Sequence, residues 1–282
     1  MLLLTWNIRD GGGDRLDAVV AVLARERPDV LALQELRGFD RAGGRRMRTF
    51  AEAVGMVPHL ARSVFGQPVA VLVRPPLRIT GRTAVKWRLH HAAAAATVAT
   101  PGGPLTVLST HLNPYSPERR RREASWLAAR YARHGRVLLA GDLNTLDPGS
   151  DHAESIAALP AAYRGRHVDP DGRVNTSAIT AFARAGLADV WPLAGSGDGR
   201  TAPTTRGGGA EFSGMRLDYV LAGSAVAGLV RRARVVRGGE AEYASDHYPL
   251  AVDLAVDATS PAGNERPVGN ERPVGSERPA DG

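Results

Sequence analysis

The chain of 282 residues has a mass of 29.9 kDa, contains no cysteine and carries a formal net charge of +7 at pH 7. The absence of cysteine excludes disulfide bonds and thiolate metal sites, which leaves carboxylates, amides and imidazoles as candidate metal ligands. No apolar run is long enough to cross a membrane, and a hydrophobic content of 43% is sufficient for a full core. The positive charge, carried almost entirely by arginine, fits a polyanionic partner and an arginine-rich composition without functional meaning equally well.

Hydrophobic periodicity predicts an alternation of buried strands and amphipathic helices. In chain order we predict a strand at 2–6, helix 15–27, strand 30–33, a short helix at 49–54, strands 69–73, 94–99 and 105–110, a helix from 116, a strand from 137, helices near 153–159 and at 175–185, and strands 217–222 and 250–256. The segment between 73 and 94 is predicted to be a connection with an edge strand. Segments 38–48 and 195–214 are rich in glycine and are predicted to be loops.

Both ends of the chain carry information. Met1 is followed by three leucines with no basic region before them, which is not the pattern of a signal peptide, so we expect a cytoplasmic protein. We also expect a monomer without stable membrane insertion.

From residue 264 the sequence NERPVG repeats, and such a Pro-, Gly- and charge-rich segment cannot bury apolar area. We therefore predict one folded domain at 1–257 and a disordered tail at 258–282.

The stretch 137–144 carries the first functional signal, because an apolar strand leads directly into Gly141, Asp142, Leu143 and Asn144. Alternate residues of an extended chain point the same way, so Asp142 and Asn144 can face one point beyond the sheet. There a carboxylate can accept a proton or hold a hard cation, and an amide can hold a water or a phosphate oxygen. The alternative is a strand that simply ends in an Asx turn.

Other polar residues share this placement at strand ends. Asn7, Glu35 and His111 each follow a predicted strand, whereas Asp218 begins one and His247 precedes another. Residues that leave strands running one way and enter strands running the other way share an edge of the sheet. A layered α/β fold would therefore gather these side chains at one edge, where such folds tend to place their sites.

Six short motifs contain these residues in a fixed order: TWNI at 5–8, LQE at 33–35, STHL at 109–112, GDLN at 141–144, RLDY at 216–219 and SDHYPL at 245–250. The series resembles the motif series of the endonuclease/exonuclease/phosphatase superfamily, and it spans residues 1 to about 257. The resemblance implies an α/β fold, a four-layer αββα sandwich of two mixed sheets flanked by helices. It also implies hydrolysis of phosphate esters with Mg²⁺ or Mn²⁺.

The resemblance implies roles for the motif residues. Glu35 corresponds to the metal ligand, and a carboxylate is the oxygen donor that Mg²⁺ prefers. Asn7 is expected to support the metal or the attacking water, and Asp246 to add a further metal contact. Asp142 resembles the residue that activates the nucleophilic water, and Asn144 resembles the one that orients it.

His247 and Asp218 are the expected acid–base pair. The Asp218 carboxylate would select the tautomer of His247 and favour its protonated form, which can bind the phosphate and stabilise the pentavalent state. The alternative for His247 is a hydrogen-bonded core histidine.

His111 bears on the branch of the superfamily that the chain resembles. The abasic-site endonucleases have Tyr at this point, whereas the deoxyribonuclease I, sphingomyelinase and phosphatase branches have His. In deoxyribonuclease I this His has a Glu partner, but here no Asp or Glu occurs between Glu52 and Glu118. We therefore expect His111 to donate to phosphate and not to act as the leaving-group acid. Asn113 is expected to assist it in substrate binding, although a turn before Pro114 explains Asn113 equally well.

Arg119 and Arg120 lie in the first turn of the helix that begins at 117, where the helix dipole disfavours cations by ~0.3–1 kcal/mol each. A nearby anion would offset this cost, which makes both arginines candidates for binding a polyanionic substrate. A solvated helix end, offset by Glu118 and Glu123, explains them as well.

Three functions follow from these observations. The first is a metal-dependent phosphodiesterase or nuclease, with nucleic acid as a candidate partner; against nucleic acid, only 5% of residues are aromatic and no stacking strip is evident. The second is a phosphomonoesterase or a lipid-headgroup phosphodiesterase of the same superfamily. The third, from another class, is a non-catalytic polyanion-binding module, which would be expected to have lost some of these residues.

Overall fold

Two six-stranded sheets form the centre of the protein in a computed structural model that describes residues 1–256. The strands are β1 (Leu2–Asn7), β2 (Val30–Gln34), β3 (Val57–Ala61), β4 (Val69–Val73), β5 (Arg78–Val85), β6 (Ala92–Ala99), β7 (Leu105–His111), β8 (Val137–Asp142), β9 (Leu187–Asp189), β10 (Asp218–Gly223), β11 (Val230–Val235) and β12 (Leu250–Leu254). The helices are α1 (Leu16–Glu26), α2 (Arg45–Val54), α3 (Pro117–Tyr131), α4 (Ala153–Ala158), α5 (Ala161–Arg164), α6 (Ser177–Arg184), α7 (Trp191–Ala194) and α8 (Ser224–Ala227). The predicted boundary at 257 and the predicted disordered tail at 258–282 lie outside the described residues.

Both sheets are mixed. The first has the order β11-β12-β1-β2-β4-β3 and the second the order β5-β6-β7-β8-β10-β9. Within each sheet one neighbouring pair is parallel, β1 with β2 and β7 with β8, and the other pairs are antiparallel. The central strands are buried on both faces, which explains their continuous apolar sequence.

Three apolar cores hold four layers together. One core lies between the sheets and contains Leu3 and Val220. A second packs α1 and α2 on the outer face of the first sheet and contains Trp6. The third packs α3 and α6 on the outer face of the second sheet around Leu127 and Phe182. The predicted αββα sandwich is therefore confirmed.

The structure departs from the predicted elements mainly at the sheet edges. Strands β3, β9 and β11 were not predicted, because each is an edge strand with partly or fully exposed positions and so lacks a continuous apolar run. Helix α2 begins at Arg45, four residues before the predicted start, since Met47 and Phe50 both pack into the core beside the arginine-rich turn. No helix in the described part of the chain combines the length and apolarity that a bilayer crossing requires.

Candidate active site

The ends of the central strands place five predicted side chains at one edge of the sandwich. In the second sheet, His111 at the end of β7 is in register with Asp142 at the end of β8, and Asp142 is in register with Asp218 at the start of β10. In the first sheet, β1 ends at Asn7 and β2 is followed directly by Glu35. The two sheets meet here through side chains, as the hydrogen bonds of Asn7 demonstrate.

Asn7 joins the two sheets. Its Nδ2 donates to Oε1 of Glu35 and to Oδ2 of Asp142, each at 3.0 Å. Glu35 accepts a second hydrogen bond from the main-chain N–H of Asp10 at 3.0 Å. Burial raises the pKa of Glu35, and these hydrogen bonds only partly offset the effect. A buried carboxylate of this kind is stabilised by a cation beside it.

His247 and Asp218 form a buried pair behind Asp142. The Nδ1 of His247 lies 2.7 Å from Oδ2 of Asp218, and its Nε2 lies 3.7 Å from Oδ2 of Asp142. Burial lowers the pKa of His247, but the carboxylates of Asp218 and Asp142 outweigh this effect and raise it well above its ordinary value. The imidazole is therefore positioned to hold a proton that it can offer to a substrate oxygen.

Asp142 is the centre of this arrangement. Its Oδ1 accepts the main-chain N–H of Asn144 at 2.9 Å, which makes a tight turn after β8. Its Oδ2 also lies 3.4 Å from Nε2 of His111. Burial raises the pKa of Asp142, and the adjacent histidines lower it. The side chain of Asn144 donates to the carbonyl of Leu112 at 3.1 Å, so its amide is held against the neighbouring strand end.

The strand carrying Asp142 requires glycine before it. Gly141 has a φ of +149°, and a Cβ atom there would lie 1.9 Å from the carbonyl oxygen of Thr110. Strands β7 and β8 can come together at this point only with glycine, and their close approach brings His111 to Asp142.

His111 has the environment of a neutral imidazole. Burial lowers its pKa, and within residues 1–256 its Nδ1 has no hydrogen-bond partner. Its ring stacks on His91, with centroids 4.2 Å apart. Within residues 1–256 His111 therefore contacts a second imidazole on its open side and no carboxylate at Nδ1, as the lack of acidic residues between Glu52 and Glu118 predicts.

The last predicted metal residue, Asp246, faces the same cleft. Its carboxylate lies 3.5 Å from Nε of Arg9 and accepts from the hydroxyl of Ser245 at 3.3 Å. The hydroxyl of Ser245 also donates to the carbonyl of Asn7 at 2.7 Å, and the indole N–H of Trp6 donates to the carbonyl of His247 at 2.7 Å. The motif near the C-terminus is thus fastened to the first strand.

A cleft of about 530 Å³ lies over these residues. Residues of the predicted site that line it are Glu35, His111, Asp142, Asn144, Asp246 and His247. Asn7 and Asp218 lie behind them and contact Asp142 and His247 respectively. Three arginines that the sequence did not single out, Arg9, Arg37 and Arg166, also line the cleft. They come from three separate loops, so no local pattern marks them.

The three residues predicted to bind substrate through the 113–120 segment do not line the cleft. Arg120 is fully buried, and its guanidinium donates to the carbonyls of Asn113 and Arg166. Asn113 is buried and accepts the main-chain N–H groups of Tyr115 and Ser116, as its turn interpretation requires. Arg119 is exposed on the helix. The prediction that Arg120 binds substrate is therefore replaced by a structural role, because its buried guanidinium donates hydrogen bonds to loop carbonyls.

Glu123, which follows Arg120 by one helical turn, was predicted only to offset the arginines of a solvated helix end, but it is a buried carboxylate. Its two oxygens accept the main-chain N–H groups of His90 and Asn113. Burial raises its pKa to about 7. The residue joins helix α3 to two loops beside the cleft.

This raised pKa predicts a loss of stability with rising pH. Between its ordinary value near 4.5 and about 7, the folded state holds a proton on Glu123 that the unfolded state has released. The free energy of unfolding should therefore fall by up to about 3 kcal/mol as pH rises through this window. Urea unfolding at pH 5 and pH 8 checks this: Glu123→Gln should flatten the pH dependence, and Glu118→Gln, an exposed glutamate on the same helix, should not. Equal pH dependence in all three proteins would contradict the assignment.

The donor set fits a divalent metal ion. Ligand atoms of Asp142, Asp218 and His247 lie within 4.8 Å of one another, and Oδ1 of Asp218 lacks a partner in the described chain. The carboxylates of Glu35 and Asp246 line the cleft beside them. Mg²⁺ and Mn²⁺ bind preferentially to hard oxygen donors, and this cleft has several carboxylates close together.

Comparison with known proteins agrees with the fold and identifies the family. Residues 4–247 match the Endonuclease/Exonuclease/phosphatase family. The chain therefore belongs to this family of phosphoester hydrolases, as the motif series predicts. No curated protein sequence matched the chain.

Solved structures show the same fold at low sequence identity. A mannosyl-6-phosphatase from Bacteroides thetaiotaomicron is 16% identical with a TM-score of 0.66, covering 90% of this chain and 99% of its own. A 3'-5' exonuclease from Neisseria meningitidis is 21% identical with a TM-score of 0.59, over 90% and 99% of the two chains. An endonuclease/exonuclease/phosphatase family protein from Bacteroides thetaiotaomicron is 16% identical with a TM-score of 0.65, over 89% and 96%. At these identities the likeness shows the fold alone.

Proposed function

We propose that the protein is a divalent-metal-dependent phosphodiesterase that acts as a nuclease. The observation that carries this proposal is the position of the Asp142 carboxylate, which faces Asn7 and His247 from the first sheet and lies beside His111 of its own sheet. A phosphodiester is an anion that resists attack, so its hydrolysis needs a base, a proton donor and neutralising charge in one place. We assign these three functions to Asp142, to protonated His247 and to a bound divalent cation.

The metal ion would be held by Glu35, with Asn7 and Asp246 supporting it. Asp142, Asp218 and His247 form the tighter geometric cluster. However, Nδ1 of His247 already shares a hydrogen bond with Asp218, and Mg²⁺ prefers oxygen to imidazole ligands. We therefore assign the ion to the carboxylate of Glu35. When bound, the ion supplies positive charge that neutralises the phosphate.

The remaining residues move protons and position the water. Asp142 accepts the proton of the attacking water, and Asn144, locked to Leu112 and to Asp142, keeps that carboxylate oriented. Protonated His247, supported by Asp218, binds the phosphate oxygen and stabilises the charge that develops there. Neutral His111 donates a hydrogen bond to phosphate from Nε2.

The arginines that line the cleft favour a substrate with further negatively charged groups beside the scissile phosphate. Arg9, Arg37 and Arg166 occupy the lining around the carboxylates, and each can meet a phosphate flanking the scissile bond. The alternative is a phosphomonoesterase, which is favoured by the likeness to the Bacteroides mannosyl-6-phosphatase. A non-catalytic binding module has less support, because Glu35, Asp142, Asn144 and His247 are all present in the chain. A lipid-headgroup phosphodiesterase has less support because the sequence contains no evident membrane-inserting hydrophobic hairpin. The cytoplasmic location and the monomeric state stay predictions.

Hydrolysis of an aryl phosphodiester with and without metal tests this function. Purified protein should release the aryl product in Mg²⁺ or Mn²⁺, lose activity in EDTA and regain it when Mn²⁺ is added in excess. An aryl phosphomonoester assayed in parallel separates the two candidate reactions. Full activity in EDTA, or faster hydrolysis of the monoester than of the diester, would contradict the proposal.

A further inference from the structure

A strip of aromatic side chains borders the cleft on the side of the second sheet. It consists of Phe65, His90, Tyr115 and Arg166, all of which line the cleft. The rings of Phe65 and His90 are stacked with centroids 4.4 Å apart, and Tyr115 packs edge-on against His90 at 5.6 Å. The guanidinium of Arg166 lies 5.5 Å from the centre of the Tyr115 ring. We call these four residues the aromatic strip.

The aromatic strip is continuous with the reacting groups. His90 packs edge-on against His91 with centroids 4.5 Å apart, and His91 stacks on His111 at 4.2 Å. His111 in turn lies 3.4 Å from the carboxylate of Asp142. Three ring-to-ring contacts therefore lead from Phe65 at the surface to the position where the phosphate is attacked.

Helix α3 holds the aromatic strip in place. Glu123 accepts the main-chain N–H of His90, and buried Arg120 donates to the carbonyls of Asn113 and Arg166. The guanidinium of Arg120 is a charged group bonded to the backbone of two loops, and such bonds are the stronger ones in proteins. The strip is thus a preformed surface, which lowers the entropy that a ligand must lose on binding.

The exposed part of the aromatic strip is suited to a flat ring. The side chains of Phe65 and Tyr115 are 61% and 62% exposed, although the rings are large and apolar. An aromatic face beside an arginine stacks nucleobases, and it does so only when the base is free of its partner strand and neighbours.

We propose that the aromatic strip binds an unpaired nucleobase next to the scissile phosphate, so that the preferred substrate is single-stranded nucleic acid. The inference rests on the proposed phosphodiesterase function and names its substrate class. It also revises the sequence-based statement that no stacking strip is present, because the four residues come from separate loops.

Binding and hydrolysis of two matched strands test the inference separately. One is a short single strand with bases and a 5' fluorophore, and the other has the same backbone with every base replaced by a tetrahydrofuran unit. Fluorescence anisotropy in EDTA reports binding without cleavage. The wild-type protein should bind the base-bearing strand about five- to a hundredfold more tightly than the base-free strand.

Variants assign this preference to the aromatic strip. Phe65→Leu combined with Tyr115→Leu should remove the preference and leave affinity for the base-free strand unchanged. Tyr115→Phe, which keeps the ring, should retain it. Trp87→Leu removes an aromatic side chain that is 83% exposed outside the cleft, and should also retain it.

Two results would overturn the inference: equal affinity of the wild-type protein for both strands, or a preference that survives in the double leucine variant. Hydrolysis in Mn²⁺ is then measured on both strands. A base preference in binding without cleavage of either strand would overturn the proposed reaction and not the aromatic strip. Cleavage of both strands at equal rates and with equal affinity would overturn the role of the aromatic strip and not the proposed reaction.

Discussion

Asp142→Asn is expected to lower kcat for phosphodiester hydrolysis by at least about a hundredfold, equivalent to ~3 kcal/mol in the barrier. The carboxamide cannot accept the proton of the attacking water. In the wild type both carboxylate oxygens accept a hydrogen bond, Oδ1 from the N–H of Asn144 and Oδ2 from Nδ2 of Asn7. A carboxamide has only one oxygen, so its N–H₂ group would face one of these donors. Steady-state rates with the aryl phosphodiester in saturating Mn²⁺ measure the effect.

The control for this prediction is the same change at an exposed position. Asp151→Asn alters a surface carboxylate and should keep the wild-type kcat. Far-ultraviolet circular dichroism establishes that both variants are folded. If Asp142→Asn retains kcat within about threefold of the wild type while folded, Asp142 is not the base, and the proposed assignment of roles fails.

The second large effect is expected at the buried pair of His247 and Asp218. His247→Ala removes the cationic group that faces the phosphate and should reduce kcat by about a hundredfold or more. Asp218→Asn keeps the imidazole but removes the carboxylate 2.7 Å from its Nδ1, which is a main cause of the raised pKa of His247. The two variants therefore separate the presence of the imidazole from the stabilisation of its proton.

The pH profile gives the sign of the Asp218 effect. A raised pKa keeps His247 protonated toward higher pH, so activity that needs this proton is lost only on the alkaline side. Removing the carboxylate lowers the pKa of His247, and the alkaline decline of kcat should begin at lower pH in Asp218→Asn than in the wild type. Asp253→Asn, a half-buried carboxylate near the far end of β12, serves as control and should leave the profile unchanged. An unshifted alkaline decline in Asp218→Asn would contradict the pairing.

The central strands could be predicted because they are buried on both faces, whereas their four-layer arrangement was implied by the motif resemblance. Continuous apolar runs such as Val69–Val73 report that burial directly, and the polar residue after each run then falls at a shared edge. Edge strands carry no such signal: Val230–Val235 exposes Arg231 and Arg232, and its pairing with β12 follows from tertiary contacts alone.

The site was predictable to the extent that it follows strand ends. Glu35, Asp142 and His247 occur in short motifs at such ends, and the structure places them together. The orientation of Arg120 was not predictable, because all of residues 119–122 are arginine and only packing of the helix decides which one is buried. The aromatic strip escaped detection for a similar reason, since its members are far apart in sequence.

The location of the metal ion tests the proposed phosphoesterase site most directly. Diffraction data collected at the manganese absorption edge from crystals grown with Mn²⁺ would show the ion by its anomalous scattering. We expect a peak in the cleft bonded to the Glu35 carboxylate in the wild type, and its loss in Glu35→Gln. A peak remote from Glu35 and Asp142, or an unchanged peak in the Glu35→Gln variant, would contradict a phosphoesterase site assembled from these strand ends.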